Sequence, residues 1–476
     1  MENIKSKTIN ALKWSALERF LAQGMQLLIM LLLARILGPE SFGLIGMLAV
    51  FISISQVLVD SGFSSALIRK QDRSDADFST AFYFNIFVSV VCYSALYISS
   101  PSIAHFYNQP LLIDLARVLG VVMIVNSFGL VPKTILTINM NFKAQALISI
   151  ISILISSIVS IFLAYKGFGV WSLVSQSVIT AALNVILINL TIRWSPSFIF
   201  SKSSLQYLFG FGGKLLLAGL LESFYNNIYQ IVIGKKFNAF QLGQFTQANQ
   251  LASVPAITMT NVIQRVTYPM LSHIQHDVEK MDKAYILSMR IAAVFIFPLM
   301  SGLCIISKPL LILLLGNEWE PSALLVSLLA LGYMLYPIHA INLNLLQVKG
   351  RSDLFLKLEI IKKILATLIL CFTIPYGVQM MCLGIVLHSY ASLVINTYYT
   401  GTLSSLTAAR QIKVIMPIWL ISVGSGSFTL IISSFFLESN VSKIILMLFL
   451  TPVVYLTLIF LLQKDLFIKI LSMRNH

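Results

Sequence analysis

Two charged residues lie deep inside an otherwise apolar run, and charge in such a place predicts a functional pathway. Lys214 and Glu222 fall within residues 205–233, a run long enough to cross a membrane. A charged group at membrane depth costs several kcal/mol unless it faces water or a partner. At 1.5 Å per residue, Glu222 lies roughly 25 Å along its helix, well past the surface at which the helix enters. The alternative for Glu222 is a plain ion pair, with Lys214 two turns away or with a cation on another helix.

Polar side chains form one face on each of five predicted spans, and together these faces predict a shared hydrated interior. In the first span the polar and small positions follow the spacing of one side of an α-helix. Arg19 on that face lies near the cytoplasmic end, where its long side chain can instead snorkel to the interface. The alternative for the uncharged positions is that they join helices by hydrogen bonds. The faces comprise Ser15, Glu18, Arg19, Gln23 and Gln26; Ser53, Gln56 and Asp60; Lys214, Glu222, Tyr225, Asn226 and Tyr229; Gln247, Gln250, Thr258, Asn261, Gln264 and Arg265; and Tyr333, Tyr336, Asn344 and Gln347.

The composition places these faces on helices in a membrane. The 476-residue chain is 57% hydrophobic and only 11% charged, with a mean hydropathy of +0.86, whereas soluble domains carry about 25% charged residues. Apolar runs of about 20 residues indicate helices rather than the alternating strands of a barrel. The fold class is therefore an all-α polytopic membrane protein. The four cysteines lie in apolar runs without metal-ligand spacing, so no metal site is expected.

The distribution of Lys and Arg supports fourteen spans. With the N-terminus in the cytoplasm, one set of loops and tails carries 24 of these cations and the opposite set carries six. This asymmetry satisfies the positive-inside rule and places both termini in the cytoplasm. It also explains the net charge of +15 without a nucleic-acid partner. The predicted spans are 14–34, 42–62, 80–99, 112–131, 146–164, 170–190, 205–233, 242–264, 286–306, 322–346, 358–374, 378–399, 414–436 and 443–462.

A short polar break recurs 200 residues apart and predicts an internal duplication. Ala34–Gly43 (ARILGPESFG) separates two apolar runs, and Gly234–Gly243 (GKKFNAFQLG) does the same later in the chain. Pro39 favours a helix stop and restart, because it lacks an N–H and fixes φ. Duplication is a recognised plan for transporters. We therefore expect two pseudo-symmetric lobes, 1–200 with spans 1–6 and 201–400 with spans 7–12, followed at 401–476 by a peripheral pair of spans and a cytoplasmic tail.

Motifs for enzymatic chemistry are not fulfilled. Gly210–Leu215 (GFGGKL) lacks the spacing and the hydroxyl residue of a phosphate-binding P-loop, and no strand precedes it. His273 and His276 stand in a hydrophilic loop without further ligands. We expect no enzymatic activity and no cofactor. Any uphill transport must then draw on an ion gradient or on consumption of the product.

Several short motifs carry a family resemblance, densely in the first half of the chain and thinly in the second. They are Lys13–Glu18 (KWSALE), Ala34–Gly43, Asp60–Arg69 (DSGFSSALIR), Pro101–Tyr107 (PSIAHFY), Val131–Lys133 (VPK), Gly167–Val174 (GFGVWSLV) and Tyr268–Ser272 (YPMLS). Together they resemble the polysaccharide-transport family of Wzx-type flippases, within the multidrug/oligosaccharidyl-lipid/polysaccharide superfamily. The branch of colanic-acid and O-antigen exporters is the most similar.

The resemblance implies a bacterial inner-membrane flippase with a central cavity between two helical lobes. It implies movement of an undecaprenyl-pyrophosphate-linked glycan repeat unit from the inner to the outer leaflet by alternating access. Ion coupling is a separate expectation, because no ATP-hydrolysing module is present. Membrane lipids, a glycan polymerase and glycosyltransferases are further candidate partners, and no catalytic residues are implied. A multidrug/cation antiporter and a lipid II flippase of the same superfamily remain alternatives, as does a membrane-embedded glycan polymerase or ligase.

The predicted cavity residues follow from the polar faces and the implied substrate. Arg and Lys suit phosphate, Arg through its planar fork and Lys as a point charge. Glu222 is the predicted ion-coupling residue, because it is the one deep carboxylate. The predicted substrate-binding residues are Arg19, Gln23, Lys214, Asn226, Tyr229, Asn261 and Tyr333.

Overall fold

A computed structural model describes residues 2–465, with side chains described from residue 21 onward, and all regular structure in this range is helical. The apolar and small residues of the predicted spans satisfy their backbone hydrogen bonds within each helix, as a membrane interior requires. The α-helices are α1 Glu2–Asp60, α2 Phe63–Arg69, α3 Asp75–Tyr107, α4 Leu112–Ile138, α5 Phe142–Tyr165, α6 Trp171–Ile192, α7 Lys202–Lys236, α8 Ala239–His273, α9 Val278–Leu315, α10 Glu320–Tyr333, α11 Tyr336–Val348, α12 Ser352–Thr373, α13 Val378–Gly401, α14 Ala408–Phe436 and α15 Asn440–Leu462.

Each predicted span from residue 21 onward, except the tenth, coincides with one of these helices or with part of one. Eleven stretches of the described chain are long and apolar enough to cross a membrane. One of these, Leu21–Arg69, contains both the first predicted span and the second. The polar and charged residues of α8 and α12 keep those two helices out of this set, so the number fourteen stays a prediction. The tenth predicted span is two helices, α10 and α11, with Pro337 in the first turn of the second.

The predicted break at Pro39 is a kink of one residue rather than a loop. α1 runs continuously from Glu2 to Asp60 except at Gly38, which has φ 68° and ψ 175°. Glycine adopts this conformation without a steric penalty, and the following proline then occupies the first turn of the second segment, where no N–H is needed. The kink divides α1 into the first two predicted spans.

The two copies of the repeated break pack against each other reciprocally. A Cβ on Gly43 would lie 1.7 Å from the carbonyl oxygen of Ala239, and a Cβ on Gly243 would lie 1.8 Å from that of Pro39. Positions 39 and 43 therefore contact positions 239 and 243 crosswise. This arrangement is what a pseudo-two-fold axis between duplicated segments requires, and only glycine allows so close an approach.

The chain divides into two compact units, Met1–Gly243 and Gln244–His476. α7 therefore groups with the first six helices by compactness, whereas the predicted lobes 1–200 and 201–400 describe repeated sets of spans and stay a prediction. In the first unit α3 packs on α4, α4 on α6, and α5 on both α6 and α1. Small hydroxyl residues bring these helices close: Ser89 donates to Ser127 at 3.2 Å, and Thr180 donates to Ser156 at 2.7 Å.

The second unit is built around α9. This helix packs against α10, α11, α14 and α15. Its buried Tyr285 and Phe297 join Ile341 of α11 and Ile418 of α14 in one hydrophobic core. The predicted peripheral pair of spans, α14 and α15, thus packs on α9 and contributes to the core of this unit.

Candidate functional site

The polar face of α7 is the clearest candidate site in the first unit. The Oγ of Ser201 caps the helix by accepting from the N–H of Ser204 at 3.2 Å, and α7 then runs for 35 residues, roughly 52 Å. Lys214, Glu222 and Asn226 are exposed along it, while Tyr229 is half-buried. If the apolar bilayer core, about 30 Å thick, is centred on this helix, it covers all four side chains.

A seam of small and polar residues fixes the neighbouring face of α7 to the second segment of α1. Ser223 Oγ donates to Ser53 Oγ at 3.1 Å, and Asn227 Nδ2 donates to the same oxygen at 3.1 Å. A Cβ on Gly212 would lie 2.6 Å from the carbonyl oxygen of Ser61, so the backbones touch there. The seam therefore sets the rotation of α7 and keeps its polar face turned away from α1.

Lys214 and Glu222 do not pair with each other, whereas a pair of Glu222 with Arg19 of α1 lies outside the described side chains. Among the described side chains, neither lies within 4 Å of an opposite charge. Asn226 likewise makes no hydrogen bond with another described side chain. A charged residue that no neighbour neutralises inside a membrane helix must be hydrated. The arrangement of α7 thus provides one cationic group, one carboxylate and an amide on a single wettable helix face.

The predicted site residues of α1 lie beside the start of the described side chains. Gln23 is exposed on α1. The side chain of Arg19 lies outside the described residues, as does that of Glu18. Further along α1, Gln56 is exposed and Asp60 accepts a hydrogen bond from Ser64 at 2.5 Å. Ser53, predicted as part of a polar face, instead joins the seam with α7.

The predicted polar faces of the second unit are split between exposed and hydrogen-bonded residues. Asn261 of α8 is exposed. Tyr333 is half-buried, donates to Asn249 Oδ1 at 2.6 Å and packs edge-on to Tyr336 at 5.2 Å. Buried Asn344 donates to Thr267 at 3.1 Å, which is helix-joining rather than cavity-lining.

Gln247 is only 1% exposed, and neither atom of its amide has a described partner. This side chain is therefore buried within the protein and does not contribute to a wettable surface of α8.

Sequence reasoning missed a buried polar network near one end of the second unit. The hydroxyls of Tyr285 and Thr400 share two amide acceptors: Tyr285 Oη lies 2.8 Å from Asn342 Oδ1 and 2.9 Å from Gln411 Oε1, and Thr400 Oγ1 lies 3.1 Å from each. All four side chains are fully buried. The Gln411 amide in turn donates to the carbonyl oxygen of Leu406 at 2.9 Å. The network joins α9, α11, α13 and α14 and has no exposed member.

Asp282 lies one turn before Tyr285 and is also buried, at 5% exposed. Its Oδ2 accepts from the N–H of Ser405 at 3.0 Å and from the hydroxyl of the same residue, while Oδ1 has no described partner. The α13–α14 connection is thereby held to α9. No group of three or more potential metal ligands occurs in the part of the chain that the structure describes.

Comparison with known proteins places the chain in a family. The family described as "Polysaccharide biosynthesis protein" matches residues 32–324, more than half of the chain. The succinoglycan biosynthesis transport protein ExoT of Rhizobium meliloti (strain 1021) is 26% identical over 329 residues, which cover 69% of this chain and 66% of that protein. The lipopolysaccharide biosynthesis protein WzxC of Escherichia coli (strain K12) is 24% identical over 423 residues, which cover 88% and 85%.

The fold has a solved counterpart. The lipid II flippase MurJ, in an inward closed conformation, superposes with a TM-score of 0.77 at 14% identity, covering 95% of this chain and 99% of that chain. At this identity the likeness shows the fold alone. The Wzx-type resemblance read from the motifs is confirmed by the family match. The chain, whose described part has eleven helical stretches able to cross a membrane, therefore belongs to the polysaccharide biosynthesis protein family.

Proposed function

We propose that the protein is a flippase that moves an undecaprenyl-pyrophosphate-linked oligosaccharide repeat unit from the inner to the outer leaflet of a bacterial cytoplasmic membrane. The observation that carries this proposal is the exposed polar face of α7, set in a helix long enough to span the bilayer. The family and the names of the two relatives direct it to a polysaccharide precursor. The protein makes and breaks no covalent bond in this step, so it acts without a cofactor and is not an enzyme.

The chemistry of the substrate matches the chemistry of this face. A pyrophosphate-linked sugar is anionic and polar, so it needs a hydrated path, while its polyprenyl chain is apolar and stays in lipid. Lys214 supplies a point charge for the pyrophosphate, and Arg19 supplies a second cation nearer the cytoplasmic end. The amides of Gln23, Asn226 and Asn261 then hydrogen-bond sugar hydroxyls. Tyr229 and Tyr333 offer ring faces on which sugars stack.

Glu222 is the proposed coupling residue. It lies two turns beyond Lys214 on the same face and is exposed, so it can exchange a proton or cation with water on whichever side the path is open. Binding of a cation there offsets the negative charge of the carboxylate while the path changes sides. The transport step then depends on an ion gradient. Both termini of the chain lie on the cytoplasmic side in this proposal.

The first test is the lipid-linked intermediate in a deletion strain. We expect loss of the surface polymer and accumulation of single repeat units on undecaprenyl pyrophosphate in the inner leaflet. Export should return with the wild-type gene and with Lys236→Gln, which removes an exposed cation at the end of α7. An intact polymer combined with altered resistance to cationic dyes would reject the flippase and favour the antiporter. A block in cell-wall synthesis on depletion would favour lipid II instead.

We propose that glycosyltransferases supply the repeat unit on the inner face before this step and that a glycan polymerase consumes it on the outer face afterwards. This consumption keeps export directional.

A further inference from the structure

The connection between α6 and α7 is apolar yet exposed. It runs from Arg193 to Ser201 and includes the sequence Phe198-Ile199-Phe200. Phe198 is completely exposed, and Ile199 and Phe200 are 50% and 57% exposed. Apolar side chains in such a patch mark a contact with lipid or with another molecule. Trp194 is the second residue of the connection, and tryptophan is enriched where a membrane meets water.

This connection is held rigidly against the start of α3. The N–H of Ser197 donates to Ser79 Oγ at 3.0 Å, and the N–H of Ser201 donates to Thr80 Oγ1 at 3.0 Å. Ser79 and Thr80 are fully buried. Buried hydroxyls that accept from the backbone N–H groups of a loop fix its path, because breaking these hydrogen bonds would leave buried polar groups without partners. The segment is therefore a formed part of the first unit.

The fixed connection closes one side of a groove. Trp194 packs edge-on to Phe82 at 5.6 Å, and Phe82 packs edge-on to Phe128 at 5.9 Å. Between these rings and α6 lies an open cavity of about 300 Å³. Its walls are apolar apart from one amide, whose Nδ2 is engaged by the carbonyl oxygen of Val185 at 2.8 Å. The lining residues are Phe82, Phe128, Val185, Ile186, Asn189, Trp194 and Pro196.

Two exposed cations stand close in sequence to lining residues of the groove, and both belong to the predicted cation-rich side of the membrane. Arg193, directly before Trp194, is exposed and adopts a left-handed φ of 51°. No carboxylate of the described chain lies within 4 Å of Arg193. Lys133, one turn and a half beyond Phe128 on α4, is exposed as well. The groove is apolar and lies beside exposed cations and an interfacial tryptophan. It therefore complements a lipid, whose acyl chain would lie in the groove and whose anionic headgroup would lie at the rim.

We propose that this groove binds an acyl chain of an anionic phospholipid from the cation-rich side of the membrane, with the lipid phosphate at Arg193. The charge at the rim selects an anionic headgroup over a zwitterionic one, and the aromatic wall holds the chain. The site lies within the first unit and is separate from the polar face of α7. The proposal does not depend on the glycan substrate.

The test is lipid retention by the purified, detergent-solubilised full-length protein, measured by native mass spectrometry. Phosphatidylglycerol and phosphatidylcholine of the same chain length are added together. We expect the wild type to retain phosphatidylglycerol preferentially. Arg193→Gln should reduce that preference about fivefold, the effect of one cation near an anionic headgroup. Ile186→Trp, which enlarges a half-exposed lining residue, should lower retention of both lipids. Lys166→Gln, an exposed cation on another loop of the unit, serves as the matched control.

A second measurement keeps the proposal testable if a variant folds poorly. Brominated phosphatidylglycerol in vesicles should quench the part of the fluorescence that is lost in Trp194→Phe, and brominated phosphatidylcholine should quench it less. Equal quenching by the two lipids, or equal retention of both, would overturn the proposal. Displacement of phosphatidylglycerol by undecaprenyl phosphate at equal concentration would also overturn it, because the groove would then hold the polyprenyl chain of a substrate.

Discussion

Two sets of polar side chains lie in the helices of this protein, and they differ in what satisfies them. On α7, Lys214, Glu222 and Asn226 are exposed and make no bond with another described side chain. In the second unit, Tyr285 and Asn342 belong to a network with no exposure, in which each member bonds to another. The residue types alone do not separate the two sets. Their hydrogen bonding separates them: buried polar groups that bond to one another stabilise packing, while exposed charged groups without a partner at membrane depth must be hydrated.

The difference assigns different roles to the two regions. The buried network ties four helices at one end of the second unit and is expected to act on stability. Lys214, Glu222 and Asn226 are exposed, and α7 is already fixed to α1 by the seam at Ser53 and Ser223, so these three side chains contribute little to packing. It is therefore expected to act on transport. Variants that separate stability from transport can test this division, and the largest effect on stability should come from the network.

Asn342→Leu should destabilise the protein by about 2 kcal/mol or more. The substitution removes one of the two amide oxygens that accept from Tyr285 and Thr400, so that both hydroxyls compete for Gln411 Oε1. A buried donor that loses its acceptor costs about 1–3 kcal/mol. The measurement is thermal unfolding in detergent, together with export per folded molecule. We expect a lower Tm and less folded protein, with unchanged export per molecule. A normal Tm with lost export would place the network in the transport path.

Lys214→Gln should have the opposite signature. Substitution of an exposed residue without partners changes stability by no more than about 0.5 kcal/mol. Loss of a hydrogen bond to a charged phosphate costs roughly 1.5–3 kcal/mol, so export per molecule should fall at least about tenfold. The assay is transfer of a lipid-linked glycan in vesicles, with Lys236→Gln as the matched control. Unchanged export would remove Lys214 from the proposed site.

The sequence predicted the helices well, because each span is a long apolar run bounded by cations or turn residues. It also predicted a break at Pro39 and a second break 200 residues later, although the structure shows the first as a kink at Gly38 within one helix. The reciprocal contact of Gly43 with Ala239 and of Gly243 with Pro39 gives the repeat a structural meaning. The motif alone did not predict that the two breaks contact each other.

The polar faces stay a prediction from helical periodicity. Helical periodicity tells which residues share one side of a helix, yet it does not identify the neighbour that they meet. Ser53 and Asn344 resemble Asn226 as single polar residues in an apolar helix, but among the described side chains only Ser53 and Asn344 have hydrogen-bond partners.

The network was missed because Tyr285 and Gln411 are 126 residues apart. Each stands near a helix end, where a single polar residue is unremarkable in sequence. The separation also explains why no local motif could have revealed the contact of these two side chains.

Glu222→Gln should change the dependence of transport on a gradient more than its maximal rate. The amide keeps the size and polarity of the side chain but cannot bind a proton or a cation, so export should lose its response to an imposed pH or sodium gradient. The experiment compares initial rates in vesicles with and without each gradient. Glu320→Gln is the matched control, because that carboxylate is exposed and pairs with Lys308 at 2.8 Å. A gradient response equal to that of the wild type would place coupling at another residue.

The smallest effect is expected at the seam that holds α7. Ser223→Ala removes one hydroxyl bond to Ser53, while Asn227 still donates to that oxygen at 3.1 Å. A neutral hydrogen bond of this kind contributes about 1 kcal/mol, so Tm should fall slightly and export per molecule should stay within twofold of the wild type. Thermal unfolding and the vesicle assay measure both. A large loss of export without a loss of stability would mean that the rotation of α7 itself changes during transport. The seam would then belong to the moving parts of the protein, and the division between packing and pathway would have to be drawn elsewhere on α7.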